Sequence, residues 1–237
     1  IKSSKILEGL KKNTILKSRS SYNILLLEKD KKSIKNFLKD LGYYFSEIEI
    51  SKEELNDNKI NLTYNISLGE KAKIQKISFI GDKIFKDKKL KSIILSEEYK
   101  PWKFLSGKKY LNESMINYDE KLLKNFYLNK GYYNVLINSS FAKMTNDQEF
   151  ELIFNIEANP KLFFGDLKID LPRDFTRSNY QEVEKFFEEL KNEPYSINRI
   201  ENILEKIEII TVNEQYESIK ATVNENIVSN KININFK

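Results

Sequence analysis

Most protein chemistry is carried by histidine, cysteine, paired carboxylates or gathered cations, and this sequence has no histidine and no cysteine. Ser-His-Asp and Cys-His catalysis, Cys/His zinc sites, haem or iron–sulfur ligation by these residues, and thiol redox chemistry are therefore excluded. No disulfide can brace the fold, so each domain must rely on its own core. Carboxylates are plentiful, as in Glu188-Glu189 and Asp119-Glu120. They are expected on the polar faces of helices at ordinary spacing, and no pair stands out for acid–base work. Catalytic, cofactor-binding and metal-binding residues are accordingly assigned to none, and no small-molecule substrate is expected.

The cations do not gather either. Forty Lys and Arg face 35 Asp and Glu, for a net charge of +5. They are interspersed, as in Lys29-Asp30-Lys31 and Lys86-Asp87-Lys88-Lys89. A nucleic-acid surface needs basic residues on one face, and mixing of this kind marks a solvated surface instead. Tyr43, Tyr44, Tyr132 and Tyr133 could stack on bases, but each pair follows a helix-ending glycine, where packing is the simpler role. Trp102, the only tryptophan, is either an interface anchor or packing for the loop that holds it, and the second is expected. No run approaches the roughly 18 apolar residues of a membrane helix. The chain starts at Ile1 without an apolar leader and reads as a piece of something longer.

Internal similarity is the strongest signal. Lys35-Asn36-Phe37-Leu38-Lys39-Asp40-Leu41-Gly42-Tyr43-Tyr44 recurs as Lys124-Asn125-Phe126-Tyr127-Leu128-Asn129-Lys130-Gly131-Tyr132-Tyr133, which implies tandem small domains. A helix precedes each glycine. Ile34, Phe37, Leu38 and Leu41 form its apolar face in the first copy, and Met115, Tyr118, Leu122 and Phe126 in the second. Ile197, Ile200, Leu204 and Ile207 do so in a third, degenerate copy. Asn112 is placed to cap the second of these helices. Gly42 and Gly131 fall where a helix ends in a left-handed residue. A period-two run follows each turn: Ile60, Leu62, Tyr64, Ile66, then Phe150, Leu152, Phe154, Ile156, then Ile232, Ile234, Phe236. The third copy has Gln215 in place of the glycine, with Tyr216, Ile219 and a strand around Ala221–Val223 after it.

Complete copies open with a further strand and a shorter helix. Ile77 and Phe79 alternate, Gly81-Asp82 turns, and Leu90, Ile93 and Ile94 line a helix. In the third copy Leu167, Ile169 and Leu171 alternate; Ser178 and Gln181 suggest a capping box before Val183, Phe186, Phe187 and Leu190. The order is β-α-α-β-β, an α+β design of small mixed three-stranded sheets each covered by two helices. The expected domains are 1–69 (without its first strand), 70–158, and 159–237 (truncated at its C-terminus).

Gly69 to Phe85, the segment Phe126–Tyr133, and Pro101-Trp102-Lys103-Phe104-Leu105-Ser106-Gly107 resemble polypeptide-transport-associated (POTRA) domains, the last of these segments the third such domain of an outer-membrane barrel-assembly factor. The resemblance covers essentially the whole chain, as part of a second domain, a third, and most of a fourth. It departs at Asp82, where the family usually has Asn, and at Gln215. It implies a non-enzymatic periplasmic arm, attached to the outer membrane through a β-barrel that lies outside this sequence. Its implied partners are nascent outer-membrane proteins and assembly lipoproteins, bound partly by strand addition. A related secretion or translocation pore, or a nucleic-acid-binding array, are the alternatives.

Counting directions, the second strand of the middle copy, Tyr132–Phe141, should be a sheet edge. Tyr133, Val135, Ile137 and Phe141 would face the core. Tyr132, Asn134, Leu136, Asn138 and Ser140 would face a partner. The short junctions Gly69-Glu70-Lys71 and Asn159-Pro160-Lys161 are candidate hinges, and Gly42, Gly81 and Gly131 are structural turns.

Overall fold

The computed structural model describes residues 4–102, 106–143, 149–214 and 220–237. Residues 103–105 of the Pro101–Gly107 segment, and Gln215, Tyr216 and Ile219, lie outside these. Contacts group the chain into two units. One comprises Ile1–Phe79, Ile94–Glu120 and Ser139–Phe154; the other comprises Ile80–Ile93, Lys121–Asn138 and Asn155–Lys237. The division passes through the middle copy, and each junction between copies falls within a single unit.

In the first unit, α1 (Ser4–Lys12) and α2 (Ile24–Asp40) precede a hairpin of β1 (Glu47–Leu55) and β2 (Lys59–Ser67), paired antiparallel along nine residues each. Asn23 caps α2 through Leu25 N at 2.8 Å. Leu10, Ile34, Leu38 and Ile48 form the buried core, with Tyr64 and Ile66 of β2 against it.

The middle copy supplies β3 (Lys73–Asp82), a single-turn α3 (Asp87–Lys91), α4 (Glu113–Leu128), β4 (Leu136–Lys143) and β5 (Glu149–Glu157). Its sheet order is β3-β5-β4, which leaves β4 at an edge. Asn112 caps α4 as expected, accepting from Met115 N at 2.7 Å. Gly81 and Asp82 are the last two residues of β3 rather than a turn after it, and both Gly81 (φ 82°) and Ile84 (φ 50°) are left-handed. Of the three residues expected to line α3, only Leu90 lies in it, because the helix ends at Lys91.

In the second unit, β6 (Phe163–Ile169), α5 (Gln181–Leu190), α6 (Ile197–Asn213), β7 (Val223–Val228) and β8 (Lys231–Phe236) complete the third copy. The sheet order is β6-β8-β7, with β6 parallel and β7 antiparallel to β8. Strands one and three thus lie together in parallel. Phe164, Phe187, Ile203, Ile232, Ile234 and Phe236 are all buried in one core. Ser178 does not form a capping box. It sits in a 3-10 turn (Arg177–Tyr180) before α5, and the residue at the cap position is Tyr180, with no side-chain bond.

The buried face of α4 is turned by one residue from the expected one. Ile116, Asp119, Leu123 and Tyr127 are buried, whereas Tyr118 is half exposed. Asp119 was expected on a polar face, yet it is fully buried. Its carboxylate accepts from Leu95 N at 2.5 Å and Ser96 N at 3.1 Å, two backbone groups of the connection between α3 and α4. Asp30 repeats this in the first copy: Ile15 N at 2.5 Å, Leu16 N at 3.1 Å, and Tyr64 Oη at 3.0 Å. Both lie twelve positions before the turn glycine. The same register in α6 holds Ile203, itself fully buried. There the inter-helix connection is short and pairs directly with β6, through Phe164 N to Glu193 O and Asn192 N to Phe164 O, both 2.9 Å.

A buried N–H left without an acceptor costs about 1–3 kcal/mol. Asp119→Leu should therefore lower the unfolding free energy measured in urea by that order or more, while Asp119→Asn, which keeps one acceptor, should cost less. Equal midpoints for Asp119→Leu and the parent would remove the structural role given to this carboxylate.

Candidate partner-binding edge and the inter-copy junctions

Strand β4 begins at Leu136, not at Tyr132. Tyr132 is buried (8 % exposed), its ring 6.0 Å from Phe85 and 5.7 Å from Tyr127. It therefore does not belong to the exposed row, because the chain is still turning there: Val135 N bonds back to Tyr132 O at 3.3 Å. Asn134, Leu136, Asn138 and Ser140 are exposed, Leu136 at 56 %. On the other face Val135 is buried and Ile137 half-buried. Phe141 is a correction to the expected core. It is 37 % exposed, its ring lying 4.8 Å from Tyr44 and 6.0 Å from Phe150.

Trp102 does not pack its loop down. It is 73 % exposed, with Lys100 Nζ 5.9 Å over the ring. Among the described residues no group of three or more Asp or Glu is placed to hold a metal, and no helix is long and apolar enough to cross a membrane.

Gly42, Gly81 and Gly131 take φ of +90°, +82° and +91°. At the junctions, Gly69 and Asn159 are likewise left-handed (+64° and +59°). A Cβ on Gly69 would meet nothing within 4 Å. Asn159 Nδ2 instead donates to Asn134 O at 2.9 Å, tying the second connector to the approach of β4. Lys71 Nζ lies 5.1 Å over both Tyr43 and Tyr110, and burial pulls its pKa down. Lys161 Nζ lies 5.3 Å over Tyr132.

Glu225 of β7 collects two phenols, from Tyr133 at 2.6 Å and Tyr195 at 2.9 Å. The bond to Glu225 and burial push Tyr133 up to about 12; burial, then Glu225, raises Tyr195 as well. Burial, with Asp30, pushes Tyr64 to about 12, and burial does the same for Tyr127. Glu225 and the buried aspartates were missed from sequence. The signal available was their register in the repeat, not their charge.

Small two-layer modules of helices over a sheet, repeated in tandem with the second strand at an edge, define the class of fold. The POTRA family (surface antigen variable number repeat) matches residues 4–69 and 72–159, and the chain belongs to that family. The outer membrane protein assembly factor BamA of Buchnera aphidicola is 26 % identical over 240 residues, 98 % of this chain and 38 % of that protein. BamA of Neisseria meningitidis is 25 % identical over 129 residues, 54 % of this chain and 16 % of its own length. The chain thus spans well under half of these relatives. The crystal structure of Haemophilus influenzae BamA POTRA3-5 shares the fold at a TM-score of 0.57 and 14 % identity, covering 99 % of this chain and 89 % of that one. The likeness to BamA POTRA domains read from the sequence is therefore supported in both sequence and fold.

A tyrosine whose folded pKa lies above its ordinary 10.0 favours the fold below pH 10, and that stability is lost as pH rises through the folded value. Phenolate absorbance should accordingly show Tyr64, Tyr127 and Tyr133 ionising late, near pH 12, with the unfolding midpoint falling between pH 10 and 12. Thirteen tyrosines ionising together near pH 10 in a folded chain would contradict the assignment.

Proposed function

We propose that this chain is part of the periplasmic arm of an outer-membrane β-barrel assembly factor. It acts as a non-enzymatic scaffold for nascent outer-membrane proteins and assembly lipoproteins, and the natural chain continues into the barrel. Its relatives' names support the assembly role, and strand addition at β4 is the mode of capture.

The observation carrying this mode is the contrast between edge strands. Sheet edges present unpaired N–H and C=O groups, and proteins protect them with charge. β1 carries Glu47, Glu49, Glu53 and Glu54 in nine residues. The middle of β7 carries Glu225, already engaged by two tyrosines. β4 is uncharged from Leu136 to Ala142, and its first residue is an exposed leucine. An extended chain laid along β4 meets no fixed charge until Lys143. Recognition through main-chain groups tolerates many sequences, which suits a scaffold that handles different unfolded clients.

The test is an amide-shift titration of the full chain with an extended peptide of alternating apolar and polar residues, at 50 and 200 mM salt. Shifts should centre on Leu136–Lys143 and change little with salt. A phosphate-binding surface would instead weaken by about 10³–10⁵ over that range for 6–10 contacts. Ile137→Pro, which removes a ladder donor, should abolish the shifts, and Asn138→Glu, which gives β4 the protection of β1, should weaken them. Undiminished binding by a folded Ile137→Pro variant would remove the edge from the account.

A further inference from the structure

The segment that ends a copy's second helix makes the same contacts twice, once in each compact unit. At the first junction, Gly42 O accepts from Ala72 N at 3.0 Å, and Ala72 O accepts from Leu111 N at 2.8 Å. At the second, Gly131 O accepts from Leu162 N at 2.8 Å, and Leu162 O from Tyr195 N at 3.0 Å. Isolated bridges extend both short ladders, Lys73 with Tyr110 and Phe163 with Pro194. A main-chain rung thus ties the turn of one copy, through the connector, to the inter-helix loop of the next.

A side-chain contact backs each rung. Asp40 Oδ1 accepts from Ser114 Oγ at 2.8 Å and Ser114 N at 3.4 Å, while Asn112 Nδ2 donates to Asp40 O. Asn129 Oδ1 accepts from Ser196 Oγ at 2.8 Å and Asn198 N at 2.9 Å; Asn129 Nδ2 donates to Asn198 Oδ1 at 2.9 Å. Ser114 and Asn198 are each the second residue of the next copy's second helix. Their N–H groups are among the four that a helix cannot satisfy internally, and a side-chain oxygen from an N-cap residue normally takes one of them. For Ser114 N and Asn198 N the oxygen comes from the preceding copy, in α4 beside the bond that Asn112 accepts from Met115 N. Ser196, at the cap position of α6, makes no capping bond of its own; its hydroxyl donates to Asn129 Oδ1.

The second tyrosine of each Gly-Tyr-Tyr closes the set. Tyr44 meets Phe141 of β4 edge-on at 4.8 Å, and Tyr133 donates to Glu225 of β7 at 2.6 Å. Each thereby reaches the second strand of the following copy. Glycine suits both positions, with φ near +90° and little room: a Cβ at position 42 would lie 3.0 Å from Tyr110 Cβ, and one at 131 would lie 3.2 Å from Leu162 O and Pro194 Cβ.

We propose that Asp40 and Asn129 are helix caps supplied in trans and that, with Gly-Tyr-Tyr, they clamp each copy to the next in one orientation. The repeated sequence then encodes the arrangement of the copies, not only the turn inside each one. This stands independently of what β4 binds.

Because the chain has no native cysteine, pairs of spin labels can be placed cleanly in the full chain. Lys32→Cys with Asn117→Cys brackets the first junction, and Lys124→Cys with Glu205→Cys brackets the second, all at exposed helical positions. The parent should give one narrow distance distribution at each junction. Asp40→Asn, which keeps the acceptor, should preserve the narrow peak at the first, and Asp40→Ala should lose it with helical content unchanged. Ser114→Pro approaches from the other side, deleting the capped N–H at a first-turn position where proline is tolerated, and should also lose the peak. A broad distribution in the parent would make the connectors at Gly69–Lys71 and Asn159–Lys161 hinges and overturn the clamp. So would a peak as narrow in Asp40→Ala and Ser114→Pro as in the parent.

Discussion

One buried carboxylate holding two backbone N–H groups is what keeps the helical layer of the first two copies in place. A small sheet covered by two helices leaves the chain between those helices to cross the end of the core. Its amides there have only partial access to water, and that of Ser96 has none. Satisfying them with ordered solvent would need a polar cavity, and leaving them bare would cost as much as losing a core side chain, about 1.5–3 kcal/mol. Asp30 and Asp119 solve this with two oxygens on one rigid stem, from a helical position that already faces inward. The third copy shows when the device is dispensable. Its connection is short enough to pair with β6 directly, and Ile203 takes the helical position instead.

The exposed edge follows from connectivity in the same unavoidable way. Two helices return the chain to the end where it started, so the first and third strands meet in parallel, as β6 and β8 do. The second strand joins the third through a hairpin and can only lie outside it. Every copy therefore carries one row of unfilled main-chain groups. What varies is protection: four glutamates on β1, an occupied glutamate on β7, and no charge on β4 before Lys143.

The backbone plan was legible in the sequence because it rests on periodicity and turn chemistry, which are local. The period-two runs became β2, β5 and β8, and Gly42 and Gly131 sit at positive φ where the helices stop. What was not legible depends on partners distant in sequence. Asp119 reads as solvated on any helical wheel, since nothing nearby announces Leu95 N and Ser96 N twenty-three residues and more away. Tyr132 was assigned to the strand because alternation counts residues without knowing that the turn consumes four more of them, Tyr132 to Val135. Phe141 was assigned to a core by the same alternation, whereas it meets Tyr44 of the preceding copy. The repeat itself held the missing information. Comparing registers between copies pairs Asp30 with Asp119 and Asp40 with Asn129, and a residue of one chemistry kept at one register in two copies has a structural partner to keep.

A short edge strand is a weak binding site by itself, since ordering an extended chain along it costs about 1–2 kcal/mol per residue. Linked sites recover that loss only when their spacing is fixed, because effective concentration falls as the link loosens. A trans cap is well suited to fixing it. It is made of hydrogen bonds that the helix terminus would otherwise have to find in water, and it stands beside aromatic contacts across the same junctions, Tyr44 with Phe141 and Tyr133 with Tyr195. Small modules without disulfides have little core to spare for interfaces. Leu128 and Tyr133 of the middle copy already pack into the core of the third, and the unsatisfied end of a helix adds to that apolar contact the direction it lacks.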